Sequence, residues 1–305
     1  MRRSVLPVLT VVLAILVVWY VAAIPMNIRE SLTAAERAGA EVWGGTPAER
    51  EGRSAWALAL RNPSVALDGW TQDRPRLPAP HQVVQEFSKA TFGESVTSKK
   101  SLLYHAGITL GATMVGFALG SLAGVLLAVG IVHNRAMDMS VMPWAIISQT
   151  IPIVALAPMI IVVMNSVGVQ GLLPKAVISA YLSFFPVVVG MVKGLRTPDQ
   201  MQLDQMHTWS ATRSETLWKL RLPASVPYLF ASLKIAIAAS LVGTIVGELP
   251  VQRGGLGARM LAGSYYGQTS QIWAALLMAA ILASFLVWLM GFLERRTLRA
   301  MGVPA

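Results

Sequence analysis

The chain has 305 residues, of which 54% are hydrophobic and 13% are charged, and its formal net charge is +10 at pH 7. Soluble domains carry about 25% charged residues, and a soluble protein of this composition would expose large apolar patches. The composition therefore excludes a soluble globular protein and also a disordered one. The absence of cysteine excludes a disulfide framework, a thiolate metal site and a cysteine nucleophile. We expect an all-α integral membrane protein.

Six stretches are apolar over the length of about 20 residues that a bilayer requires. The first stretch could be a signal peptide, but Pro25 follows the small residues Ala22 and Ala23 and disfavours cleavage, so we expect an uncleaved anchor. The stretches are roughly 5–24, 108–132, 141–164, 172–192, 226–247 and 272–293.

Lysine and arginine near the ends of these stretches predict the orientation, because they accumulate on the cytoplasmic side. With the N-terminus inside, the cytoplasmic segments are strongly basic, whereas the long polar segment 25–107 on the other side is nearly balanced in charge. The charge therefore indicates topology and not nucleic-acid binding. We expect cytoplasmic termini, an anchor at 1–24, an outer segment at 25–107, and a core of five spans at 108–305.

The outer segment carries three helix signals. Thr33–Glu36 and Thr46–Glu49 each have the spacing of a capping box, the second with Pro47 at the first helical position. Residues 81–92 have an amphipathic pattern that suits a helix at the membrane interface. The outer segment could pack as a cap over the first span, or it could form a contact surface for a partner, and the sequence leaves both interpretations open.

Small residues recur every four positions in the second span and place Gly116, Gly120 and Gly124 on one helix face. Such a face lets a second helix approach closely. The pattern is compatible with ordinary packing in the membrane and with a contact that moves.

The third span contains Pro152 and Pro158, which interrupt its backbone hydrogen bonds. Carbonyl groups freed at membrane depth are tolerated where they face protein or a water-filled cavity. Because polar Gln149 and Thr150 precede this interruption, we expect Gln149, Thr150 and Pro152 to line a translocation pathway. A plain kink is the alternative.

Two ionisable residues extend this pathway prediction, since charges within spans are costly and usually functional. Lys234 either lines an inner cavity or reaches toward the cytoplasm, and Glu248 lies at the outer end of the fifth span, where it could also be a solvated loop acid. The spans lack central acidic residues, which argues against a proton relay. The histidines offer no metal-ligand spacing and there is no phosphate-binding loop, so we expect no metal, no nucleotide hydrolysis and no catalytic residue.

The segment 193–223, between the fourth and fifth spans, is the longest internal cytoplasmic stretch. Thr197–Gln200 and Thr212–Glu215 each read as a capping box, so they predict two short helices that meet near residues 210–212. The second helix is expected to end at Pro223. A projecting pair of helices suits the docking of a partner, although an interfacial loop has the same pattern.

Residues 204–223 resemble the conserved cytoplasmic loop of ABC importer permeases, which has the pattern EAA-x3-G-x9-I-x-LP. Here Asp204-Gln205-Met206 replaces Glu-Ala-Ala, and Ser210 replaces the glycine, a change that we expect to be compatible with helix capping. The similarity covers about residues 77–300 and is typical of the nitrate/sulfonate/taurine branch. Further matches are Leu77–Pro80, Gly116–Gly120, Ile151–Pro158, Pro223–Tyr228, Val246–Glu248 and Gly255–Gly257.

The resemblance implies a six-span, type I importer permease with a cytoplasmic coupling helix in the bacterial inner membrane. Two copies, expected to form a homodimer, would enclose the pathway. An ATPase subunit dimer would carry ATP and Mg²⁺, and a periplasmic binding protein would deliver a small anion, a sulfonate or a heterocycle such as a pyrimidine. An autonomous secondary transporter or channel is the alternative.

The resemblance also assigns the ATPase-coupling residues. Leu217, Trp218 and Leu220 would form the apolar docking face, which Asp204, Arg213 and Lys219 would orient. The remaining expected coupling residues are Trp209, Ser210, Ala211, Leu222 and Pro223. For Trp209, anchoring at the membrane interface is an equal alternative to docking.

Overall fold

The computed structural model describes residues 2–251 and 254–302, and these residues form helices and no strands. The predicted domain ends at residues 1 and 305 lie outside the described residues. The chain divides into two compact units, one comprising Met1–Leu103 and Arg259–Met278, the other Tyr104–Ala258 and Ala279–Ala305.

The described helices fall into two groups along the chain. The first group is α1 (Arg2–Arg37), α2 (Pro47–Glu51), α3 (Ala55–Arg61), α4 (Pro63–Ala66), a 3₁₀ turn (Leu67–Trp70) and α5 (Pro80–Phe92). The second group is α6 (Leu102–His133), α7 (Arg135–Ser148), α8 (Ile153–Ser166), α9 (Leu172–Leu195), α10 (Gln200–Thr208), α11 (Arg213–Thr216), a π-helical turn (Leu217–Arg221), α12 (Leu222–Glu248), α13 (Leu256–Tyr265) and α14 (Thr269–Ala300).

Five of the described helices are long and apolar enough to cross a membrane, and the pair α7 and α8 makes a sixth if it counts as one span. The two members of that pair are bent by 100° relative to each other. The bend falls where Pro152 forms the N-cap of α8, whereas Pro158 lies inside α8 without breaking it. The predicted interruption of the third span is therefore confirmed at the first proline.

In the first unit, the second half of α1 supports the polar segment that follows it. Ile28 and Leu32 pack in a buried cluster with side chains of α3 and α4. The buried Asn27 side chain donates to the carbonyls of Gly69 and Leu77, both at 2.8 Å. This cluster and these hydrogen bonds fix residues 58–77 against α1.

One capping prediction in this segment is wrong and one is confirmed. Thr33 does not start a helix, because α1 continues to Arg37 and the Thr33 hydroxyl donates to the Arg29 carbonyl within it. Packing of the apolar face of α1 maintains the helix past the capping signal. In contrast, Thr46 precedes α2, and its backbone N–H donates to the Glu49 carboxylate at 3.1 Å.

In the second unit, α9 packs along α12, and the glycine face of α6 lies against α9. A β-carbon on Gly116 would lie 2.4 Å from Ser179, and one on Gly120 would lie 2.1 Å from the Ser183 hydroxyl. At Gly124 it would lie 2.8 Å from the Phe184 carbonyl. Only glycine permits this separation of the two backbones, since real β-carbons do not approach other atoms so closely.

Candidate functional site

The segment between α9 and α12 forms a helical hairpin, residues 200–221. Its first limb, α10, begins at Gln200 with Asp199 as the N-cap, and the Asp199 carboxylate accepts from the Gln202 backbone N–H at 2.8 Å. The expected cap at Thr197 is wrong because Asp199, with Gln202 three residues later, satisfies the same spacing closer to the helix. The Thr197 hydroxyl instead donates to the Lys193 carbonyl at the end of α9.

The turn of the hairpin is a Schellman motif centred on Ser210. The Ser210 N–H donates to the His207 carbonyl at 2.9 Å, and the Ala211 N–H donates to the Met206 carbonyl at 3.0 Å. Ser210 adopts φ 51°, and it is the one described non-glycine residue with positive φ. Ser210 therefore does lie in a capping motif, but the motif closes the C-terminal end of α10 and requires the left-handed conformation that glycine favours.

The second limb starts at Thr212, as predicted. The Thr212 hydroxyl accepts from the Glu215 N–H, and the Thr212 N–H donates to the Glu215 carboxylate at 2.9 Å. Lys219, one turn later, donates to the same carboxylate at 3.1 Å. This reciprocal cap fixes where the limb begins.

The predicted end of the second limb at Pro223 is wrong. Residues 213–248 form one continuous helix of 36 residues that includes α12. Pro223 lacks an N–H, and its ring would clash with a preceding carbonyl in a regular α-helix. The π-helical turn at Leu217–Arg221 accommodates the proline without ending the helix.

The exposed aromatic side chains of the described hairpin are two tryptophans, and Met201 of α10 is exposed as well. Trp209 and Trp218 are each 68% exposed. Leu217 and Leu222 instead pack, half-buried, against the core of the second unit. The structure therefore separates Leu217 from Trp218, which had been expected to share one face.

The remaining predicted coupling residues lie on or beside the hairpin. A cleft of about 330 Å³ brings Trp209, Ala211, Lys219 and Leu220 together between the two limbs. Asp204 is exposed and accepts from the Gln200 side chain at 2.8 Å. Residues Arg213 and Pro223 are exposed.

Sequence reasoning missed Arg221, which joins the hairpin to α9. Its guanidinium donates to the Leu195 carbonyl in the last turn of α9 at 3.1 Å. The family pattern allows any residue at this position, so the motif did not indicate a role for Arg221. The one hint in the sequence was a basic side chain in the segment after α9, whose last carbonyls lack partners within the helix.

Gln149, Thr150 and Pro152 all lie at the bend between α7 and α8. The Thr150 hydroxyl donates to the Ile147 carbonyl at 2.7 Å, and Tyr181 of α9 donates its hydroxyl to the Ser148 carbonyl. Two carbonyl groups at the bend thus accept hydrogen bonds from side chains. Tyr181 was not predicted, because its partner is distant in sequence.

Lys234 pairs with Glu294 of α14. Both side chains are partly buried, so the charge of Lys234 is balanced by a helix that lies far along the chain. The sequence could have suggested this ion pair, since Lys234 lies within one span and Glu294 lies at the end of another.

Glu248 lies at the end of α12 in a buried polar cluster, and its side chain is 0% exposed. Its carboxylate accepts from the Thr109 hydroxyl at 2.9 Å and from the Gly257 N–H at 2.9 Å. Lys175 of α9 lies 3.8 Å away and donates to the Gly254 carbonyl at 3.0 Å. A β-carbon on Gly255 would lie 2.1 Å from this carboxylate, so the glycine-rich turn closes over the acid.

This cluster joins residues that sequence reasoning treated separately. Glu248 was expected in a pathway, Lys175 had no assigned role, and the glycines carried only family similarity. Glu248 and Lys175 both lie in apolar segments. Because buried charges are usually paired, the sequence could have suggested that these two side chains meet.

Residues 118–299 match the family model described as "Binding-protein-dependent transport system inner membrane component". This range includes the hairpin, the bend at Pro152 and the Lys234–Glu294 pair. It also includes most of the buried Glu248 cluster.

Two curated relatives are similar over most of their length. A "Formylaminopyrimidine transport permease protein ThiX" of Halalkalibacterium halodurans is 29% identical over 59% of this chain and 68% of its own. A "Riboflavin transport system permease protein RibX" of Chloroflexus aurantiacus is 30% identical over 73% of this chain and 80% of its own.

A chain of the MetNI methionine ABC transporter, solved in an inward-facing conformation, has a similar fold. The TM-score is 0.57 at 20% sequence identity, and the match covers 65% of this chain and 95% of the other.

Proposed function

This chain belongs to the family of binding-protein-dependent transport system inner membrane components, and we propose that its helical hairpin couples an ATPase subunit to helix α12. The chain is a transmembrane permease subunit of an ABC importer for a small solute. The observation that carries the proposal is the continuous helix from Arg213 to Glu248, which makes the second limb and α12 one element.

The continuous helix gives the hairpin a mechanical role. At about 1.5 Å per residue, a helix of 36 residues extends over about 54 Å. No loop separates the docking limb from the span, so a displacement of the limb changes the position of α12. ATP would bind the closed ATPase dimer more tightly than the open one, and this difference in affinity biases the permease between its two states.

The proposed docking surface uses the exposed tryptophans with polar residues around them. Trp209 and Trp218 would insert into the ATPase groove, since exposed aromatic side chains commonly carry binding energy. Asp204, Arg213 and Lys219 would orient the contact, and Ala211 and Leu220 would line the cleft between the limbs. Ser210, Leu222 and Pro223 would shape the hairpin, while Leu217 would hold it to the core.

The remaining partners follow from the family. ATP and Mg²⁺ would bind to an ATPase subunit dimer, which would perform the hydrolysis. A second copy of this chain would complete the pathway, and a periplasmic binding protein would deliver the solute. The complex would reside in the bacterial inner membrane, with the hairpin on the cytoplasmic side.

Within the core, Gln149, Thr150 and Pro152 are the proposed pathway residues, because they lie at a backbone bend where Thr150 is exposed and Gln149 is half-buried. Lys234 would face the inner end of the pathway, where Glu294 balances its charge. Glu248 would stabilise the end of α12. The two relatives are named for the transport of a formylaminopyrimidine and of riboflavin, so the proposed solute is a heterocycle, with a small anion or sulfonate as the alternative.

The first test is co-purification of an ATPase with this chain from detergent-solubilised membranes. Replacing the exposed hairpin tryptophan, Trp218→Ala, should reduce ATPase recovery at least tenfold because it removes an aromatic docking contact. Trp56→Ala is the matched control, since Trp56 is also exposed but lies in α3.

Unchanged ATPase recovery with Trp218→Ala would remove the hairpin from the docking surface. If the purified chain alone moved solute across liposomes without ATP, the coupling proposal as a whole would be wrong. Thermal unfolding of both variants verifies that neither substitution disrupts the fold.

A further inference from the structure

A cleft of about 440 Å³ lies between the helical hairpin and the end of α6. Val132 and His133 form its wall on the α6 side, and residues from both limbs of the hairpin form the opposite wall. The charged residues of the lining are Arg213 and Arg221, and none of the described lining residues is acidic. This basic cleft therefore suits an anionic group at the junction of the hairpin with the spans.

Neither arginine of the basic cleft forms an ion pair with a described residue. Arg221 is half-buried and holds the end of α9, whereas Arg213 is exposed. The two acids of the hairpin have other partners, since Asp204 accepts from a side chain of α10 and Glu215 pairs with Lys219. Two guanidinium groups without a carboxylate offer planar donors that match the oxygens of a phosphate group.

The basic cleft and the proposed docking surface lie on different faces of α10. Residues three or four positions apart share one face of a helix. The basic cleft is lined by one such set, which is Gln200, Leu203 and His207. The cleft between the limbs is lined by another set, which includes Gln205 and Trp209. An ATPase bound to the exposed tryptophans thus leaves the basic cleft to a different ligand.

A stripe of exposed leucines on α6 leads to the basic cleft. At 32 residues α6 is about 48 Å long, more than the hydrocarbon core of about 30 Å, so its last turns lie at the level of the lipid headgroups. This leucine stripe consists of Leu119, Leu122 and Leu126, whose spacing places them on the same helix face as His133. It begins about 10 Å from His133 and ends about 21 Å from it. An acyl chain can lie along the stripe while its headgroup occupies the cleft.

From the basic cleft and the leucine stripe together, we propose that this site binds an anionic phospholipid. The phosphate oxygens accept from the guanidinium groups of Arg213 and Arg221, and an acyl chain covers the leucine stripe. Basic pockets between spans on the cytoplasmic side bind anionic headgroups in the same way. Because α6 and both limbs supply the walls, the lipid links the hairpin to the span. A free phosphate ion offers the same oxygens but leaves the stripe uncovered.

The test is native mass spectrometry of the delipidated full-length chain in detergent. The probes are dioleoylphosphatidylglycerol and dioleoylphosphatidylcholine, which have the same acyl chains but differ in headgroup charge. We expect the first phosphatidylglycerol to bind about fivefold more tightly than phosphatidylcholine, whose quaternary ammonium group is repelled by the arginines. Glycerol 3-phosphate has the phosphate but no acyl chain, so an equal concentration should not displace the lipid.

Two variants, each with a matched control, locate the lipid. Arg213→Gln should weaken phosphatidylglycerol about fivefold, the effect of one arginine on an anionic headgroup. Arg299→Gln removes the same charge from the exposed end of α14, outside the basic cleft, and should have no effect. His207→Glu adds an acid to the basic cleft and should also weaken binding. Gln205→Glu adds the same acid to the other face of α10 and should not.

Three results would overturn the proposal. Equal affinity for the two phospholipids would indicate unselective lipid contact. Displacement of the lipid by an equal concentration of glycerol 3-phosphate would define a site for soluble phosphate. Unchanged binding in His207→Glu would remove the lipid from the basic cleft, and it also decides the matter if Arg213→Gln unfolds. No ATPase takes part in these measurements, so none of the three results bears on the proposed coupling function.

Discussion

At the scale of the residue, the hairpin turn depends on the backbone of Ser210. Its φ of 51° places the β-carbon close to the following carbonyl, at a cost of about 1–2 kcal/mol for residues other than glycine. The hydrogen bonds from Ser210 and Ala211 to the last turn of α10 impose this conformation. The family pattern has glycine at this position for the same physical reason.

We therefore expect Ser210→Gly to stabilise the protein by about 0.5–1 kcal/mol, because glycine adopts positive φ without the β-carbon penalty. Thermal unfolding of the purified chain measures the change. Ser214→Gly is the control: Ser214 lies within α11, where glycine should destabilise by about 0.5–1 kcal/mol. A lower melting temperature for Ser210→Gly would contradict the role of φ at this turn.

At the scale of the element, the packing of α6 on α9 sets the separation of two spans. Gly120 is one of the restrictive contacts, since a β-carbon there would lie 2.7 Å from the Ala180 carbonyl and 2.1 Å from the Ser183 hydroxyl. The serine hydroxyl can rotate away, but the Ala180 backbone cannot. Any side chain at Gly120 must therefore displace one helix.

Gly120→Ala is expected to destabilise the chain by about 1–3 kcal/mol, as overpacking does in a close-packed interior. Gly107→Ala, on the same helix, provides the matched control, because no other atom lies within 4 Å of the added β-carbon. The measurement is thermal unfolding in one detergent. Equal melting temperatures for the two variants would show that α6 and α9 can separate at little cost.

At the scale of the whole molecule, the proposed function places the helical hairpin on the cytoplasmic side of the membrane. The excess of basic residues near the hairpin side predicts that the hairpin is cytoplasmic. The chain contains no cysteine, so a single introduced thiol reports its own location. Leu60 is 78% exposed in the polar segment, and Ser214 is exposed on the hairpin.

A membrane-impermeant maleimide should therefore label Leu60→Cys in intact cells as fully as in permeabilised cells. It should label Ser214→Cys only after permeabilisation. Mass shift on a gel measures both reactions. The reverse pattern would invert the predicted topology, and the hairpin could then not meet a cytoplasmic ATPase.

The sequence by itself determined the features that depend on local interactions. Span length, the break at Pro152 and the cap at Thr212 follow from residues within a few positions of each other. The loop motif and the membrane class could also be recognised from the sequence, because composition and residue spacing do not depend on the tertiary structure. One error at this level occurred where two local signals competed, at Thr197 and Asp199.

The tertiary structure decided the features that join distant residues. Glu248 meets Thr109 across 139 positions, and Lys234 meets Glu294 across 60. Thr33 lost its capping role because α1 packs on α3 and α4, and Leu217 packs, partly buried, against the core instead of beside the exposed Trp218. The partners of a buried charge and the covered face of a helix depend on how helices pack together, and no local pattern of residues contains that information.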